Sequence, residues 1–117
     1  MPINDSWLGL VKEEALEPGL PICDPHHHLW DFPGSRYMLD ELLLDTGSGH
    51  NVCKTVFIEC SAMYNQAAPE SMKPVGETEF VQGIAAQSAS GNYGATEAVA
   101  GIVGFADLLL GESVEPV

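Results

Sequence analysis

Three consecutive histidines, His26-His27-His28, follow the apolar run Leu20-Pro21-Ile22-Cys23 and the pair Asp24-Pro25, and lead into Leu29-Trp30-Asp31. Successive strand residues rise about 3.3 Å and alternate sides, so on a strand end His26 and His28 share a face within about 7 Å of each other. His27 then points the opposite way. Two imidazole nitrogens on rigid backbone can grip one metal ion, and they suit Zn²⁺ better than Mg²⁺ or Ca²⁺. The triplet fits a solvated loop, or one core histidine between exposed neighbours, about as well. It is short, internal and flanked by apolar residues, so it reads as part of the fold and not as an expression tag.

Other residues able to do chemistry stand where strands are expected to finish. Glu59 closes an apolar, β-branched run over 52–60. From there a carboxylate could reach a metal, orient a ligating histidine or act as a base, and a purely structural hydrogen bond is an equal alternative. Asp107 follows a third apolar run over 98–106; it could bind a substrate or a histidine, or cap the next turn. Tyr64 lies in a connection over 61–76, longer than is usual, where it could line a pocket. Arg36 could hold a substrate carboxylate through its guanidinium fork, or be solvated.

The elements that must position these residues follow from pattern. A short helix is expected over 4–17, ended by Pro18-Gly19; strands over 20–26, 52–60 and 98–106; and helices over 37–44 and 77–90. Phe80, Val81, Ile84, Ala85 and Ser88 form one stripe of the last helix, and Glu77 and Glu79 sit in its first turn, where the helix dipole favours them. Gly101 and Gly104 lie inside an apolar strand without the Gly-Lys-Ser/Thr ending of a phosphate loop, and no Gly-x-Ser-x-Gly elbow occurs.

Leu16-Glu17-Pro18, Leu20-Pro21-Ile22, the octet from Asp24 to Asp31, Val75-Gly76-Glu77-Thr78-Glu79-Phe80 and the segment from Ala100 to Asp107 together resemble the N-terminal part of an amidohydrolase-related TIM-barrel hydrolase. The nearest branch is that of predicted metal-dependent hydrolases related to sugar and dicarboxylate lactonases. The resemblance implies a (β/α)₈ barrel whose first strand carries the metal-binding His26 and His28, with two further histidines and an aspartate on later strands. It implies hydrolysis of a lactone, ester or amide carbonyl by activated or polarised water. Decarboxylation is the enzymatic alternative, and some relatives work without a metal.

A barrel of this kind needs about 250 residues, and the chain has 117. The expectation is therefore an N-terminal arm over 1–19 and, over 20–117, the first three βα units of an incomplete barrel, truncated at its C-terminal end and inactive if it lacks the later ligands. A small α/β protein with an open three-stranded parallel sheet is the alternative, left exposed at both edges.

Composition excludes several classes. With 17 acidic and 4 basic side chains the formal charge is −13, which repels a phosphate backbone and argues against nucleic-acid binding. No apolar run approaches the ~20 residues of a membrane helix, and no export signal precedes the first strand. An odd count of three cysteines, Cys23, Cys53 and Cys60, suits reduced thiols in a cytoplasm. The expected partner is a small-molecule substrate.

Overall fold

The computed structural model describes residues 4–117. Its central element is β4 (Asn51–Ile58), a β-branched strand that pairs in parallel on one side with β1 (Pro21–His27) and on the other with β5 (Glu97–Val103). A separate antiparallel pair is formed by β2 (Trp30–Phe32) and β3 (Ser35–Tyr37), which turn through Gly34 at φ 76°. Among the described residues three helices accompany the strands: α1 (Asp5–Leu8), α2 (Leu39–Thr46) and α3 (Val75–Ala89). Short 3₁₀ segments occur at Glu70–Met72 and Leu108–Val114.

This architecture corrects the barrel expectation. The chain forms an open three-stranded parallel sheet with a separate antiparallel pair, not the first units of a (β/α)₈ barrel. The connection from β1 to β4 explains the difference. A barrel unit needs a helix long enough to cover its strand, but this connection is spent on the β2–β3 ribbon and the eight-residue α2, about 12 Å long. Trp30 stacks on Tyr37 across the ribbon, ring centroids 5.1 Å apart, and the Trp30 indole N–H donates to Ser35 Oγ.

Helix α1 is also shorter than the periodicity predicts. Asn4 caps it by accepting the Trp7 N–H, and it ends at Gly9 with no buried residue. Without a surface to pack on, a longer helix here gains only propensity, which is marginal for so few residues.

The core lies between the sheet and the helices: Leu29, Leu39 and Leu42 meet Phe57 of β4, Val81 and Ile84 of α3, and Ala98 and Val99 of β5. Buried positions of α3 recur at 77, 81, 84 and 88, the spacing of one helix face. The last of these, Ser88, accepts the Ala98 N–H at 3.0 Å and donates to Thr96 O, tying the final turn of α3 to the start of β5. Gly91, at φ 79°, takes the left-handed conformation that lets the chain turn between them. The helix begins against the preceding loop, where a Cβ on Gly76 would sit 2.8 Å from the Asn65 backbone nitrogen. Among the described residues no helix is long and apolar enough to cross a membrane.

Candidate functional site

The β1–β4 register shifts between Ile22 and Cys23 and again between Asp24 and His27, where Pro25 supplies no ladder N–H. Asp24 Oδ1 accepts the His26 N–H at 3.1 Å and shapes the irregularity. His26 and His28 emerge on one side, with Nε2 atoms 3.2 Å apart, ring centroids 4.9 Å apart and rings nearly perpendicular. His28 Nδ1 lies 2.8 Å from the Ile58 carbonyl oxygen, so it carries the proton and donates. Its Nε2 is therefore the acceptor of the 3.2 Å hydrogen bond from His26 Nε2–H.

Two nitrogens each ~2.05 Å from one tetrahedral zinc stand about 3.3 Å apart. The observed 3.2 Å fits that spacing, and the carbonyl-held Nδ1–H is the outer-shell arrangement that fixes a ligating histidine. The pair therefore fits two positions of a divalent ion's shell. Among the described residues no group of three or more His, Cys, Asp or Glu side chains is placed to hold a metal, so Glu59 and Asp107 are not gathered around the pair.

His27 turns the other way, into the core against Phe57. Its Nε2 is 2.8 Å from Thr55 Oγ1, which in turn accepts the Val99 N–H at 2.9 Å. The His28 carbonyl, 3.4 Å from His27 Nδ1, can only accept, so Nδ1 carries the proton, Nε2 is the acceptor and the Thr55 hydroxyl donates to it. Burial holds the His27 pKa below its usual value, so the ring stays neutral. One hydroxyl thus joins β1, β4 and β5, at a point where Val99 adopts φ 59°, rare for a β-branched residue.

Glu59 follows β4, its N–H extending the ladder to Val103 O. Its Oε1 accepts from Tyr64 Oη at 2.6 Å and from Ser61 Oγ at 3.0 Å, while Oε2 accepts no hydrogen bond among the described residues. Desolvation and this bond push the Tyr64 hydroxyl up to about 12. The group that orients a histidine is the Ile58 carbonyl, one residue before Glu59.

Glu77 went unmarked as a site residue in the sequence, where a first-turn acid reads as a partner of the helix dipole. It is 2 % exposed, and its carboxylate accepts the N–H groups of Cys60 (3.1 Å) and Ala62 (2.5 Å). That clamp fixes the bend after Glu59, including Ser61 at φ 61°. Cys60 is half-buried between Leu29 O and Glu77, and burial foremost, then the Glu77 charge, pushes its thiol up, away from thiolate chemistry.

Tyr64 and Asp107 line one cavity of about 410 Å³ together with Glu70, Pro74, Phe105 and Leu110. Asp107 also performs its capping alternative, Oδ1 accepting the Leu109 N–H at 3.0 Å. Arg36 lies elsewhere, on β3, where Asp40 and Glu41 stand 3.8 and 3.7 Å from its guanidinium. Its fork is thus already met by carboxylates of its own chain. Compared with known proteins, the chain matches no family model, no curated protein and no solved structure.

Proposed function

We propose that the end of β1 holds a divalent cation, zinc by preference, between His26 and His28, and that the protein is a hydrolase of a small lactone, ester or amide. The observation that carries this reading is the 3.2 Å separation of the two Nε2 atoms, with His28 Nδ1 committed to Ile58 O. The position adds support, since ligands of parallel α/β sheets collect beyond the carboxyl ends of the strands. So do the motifs shared with amidohydrolase-related hydrolases.

A bound cation supplies polarisation of the substrate carbonyl and a more acidic water. The chain's own part is to keep His28 in one tautomer with its Nε2 lone pair available, and to bring His26 Nε2 beside it, which would coordinate once its proton is released. Glu59 accepts a proton on its free Oε2, held in place by Tyr64 and Ser61. A cytoplasmic setting agrees with three cysteines that form no disulfide.

Zinc uptake by the wild-type chain, measured by competition with a chromophoric chelator, is expected to weaken at least tenfold in His28→Ala and in His26→Ala, about 1.4 kcal/mol or more. Hydrolysis of a lactone panel should disappear with it, and Glu59→Gln should lower turnover about a hundredfold while leaving zinc affinity intact. Equal zinc affinity in the wild type and the double histidine variant overturns the reading. A second reading, metal binding without turnover, is favoured by the two-ligand count among the described residues; zinc uptake with no hydrolysis selects it.

A further inference from the structure

We propose that the cavity shared by Tyr64, Phe105 and Asp107 is a binding site for a small organic ammonium ion, an arylalkylamine being the best fit. It stands apart from the zinc reading and does not require it. The volume, about 410 Å³, suits one small molecule. Its wall combines two aromatic rings, Tyr64 and Phe105, with the apolar Leu110 and two carboxylates, Glu70 and Asp107, and includes no cationic side chain.

The charge balance selects one positive charge. Glu70 is compensated, its Oε2 lying 2.6 Å from Lys73 Nζ. Asp107 is not: its Oδ1 takes only the Leu109 N–H, and among the described residues no Lys, Arg or His lies within ion-pair reach. A carboxylate beside two ring quadrupoles attracts a cation from both partners and repels an anion from both. A neutral ligand gains burial alone. The chain's net charge of −13 adds a field that draws cations to the surface. Tyr64 is ready for the role because its hydroxyl is bonded to Glu59, which fixes the ring as part of the wall.

The test compares three probes of one shape, phenethylammonium, 2-phenylethanol and phenylacetate, by calorimetric titration in the presence of EDTA. Phenethylammonium should bind at least about tenfold more tightly than the alcohol, and phenylacetate should not bind. Asp107→Asn keeps an oxygen for the Leu109 N–H and should bring the amine to the alcohol's level; Phe105→Leu should weaken the amine more than the alcohol. His28→Ala should change neither, which separates this site from the zinc site. Should Asp107→Asn fail to fold, the wild-type chain still decides: added salt must weaken the amine and spare the alcohol. Equal affinity for amine and alcohol, preference for the acid or for a neutral sugar such as glucose, or no binding by any probe overturns the proposal.

Discussion

Thr55 holds its junction through a hydroxyl that both donates and accepts. Its hydroxyl is acceptor for Val99 N–H and donor to His27, and Val has the same shape with neither capacity. Thr55→Val should therefore destabilise the fold by about 2–4 kcal/mol, from a buried N–H and a buried ring nitrogen left unpaired. Thr55→Ser should recover most of that loss, and urea unfolding at unchanged m-value measures both. Tyr64 makes a second prediction. Its raised pKa, about 12, means the folded state holds this proton more tightly than the unfolded state does. The associated stability is present below pH ~10 and fades as pH climbs from there through about 12. A spectroscopic tyrosinate titration should show this late step, and Tyr64→Phe should remove it. At this scale the sequence is informative where period decides the outcome: strand alternation alone puts His26 and His28 on one side and His27 on the other. It is silent on Thr55 and Glu77, because their partners lie 44 and 17 residues away in the chain.

Helix α3 shows how two glycines in one element answer to different constraints. A Cβ on Gly76 would meet Asn65 N at 2.8 Å, Asn65 Cβ at 2.9 Å and Met63 O at 3.0 Å, mostly backbone that cannot step aside, while one on Gly83 would meet nothing within 4 Å. Gly83→Ala should raise stability by about 0.5–1 kcal/mol through helix propensity. Gly76→Ala should lower it by about 1–3 kcal/mol despite the same propensity gain, because overpacking outweighs it. Thermal unfolding of the two variants checks the contrast. The α3 stripe is legible from apolar spacing, and so is the branched run of β4. The β2–β3 ribbon is not: each arm has three residues, too few for a period to register, and its turn contains Pro33-Gly34 instead of a more distinctive hairpin pair. Helix α2 is displaced toward the C-terminus by the room that ribbon takes.

As a whole the molecule combines a large negative charge with uncovered apolar surface. The net charge is −13, yet Val103, Phe105, Leu108, Leu109 and Leu110 are all exposed, Leu109 at 96 %. Charge repulsion keeps copies apart at low salt, and the screening length falls from about 10 Å at 0.1 M to about 3 Å at 1 M. Light scattering should therefore show self-association rising with sodium chloride, and Leu109→Glu should suppress it; a mass independent of salt contradicts this. The three apolar runs expected as strands do become the three strands of the parallel sheet, but strand positions do not specify what covers each strand, which is why the sequence leads to a barrel on paper and an open sheet in three dimensions. That sheet has no hairpin in it. Pro21 pairs with Asn51 and Lys54 with Glu97, so every rung of the ladder waits for residues thirty or more positions downstream. At a ribosomal pace of about 5–20 residues per second, each rung of β1 is made about 2–6 s before its mate on β4, thirty residues later, leaves the synthesis site.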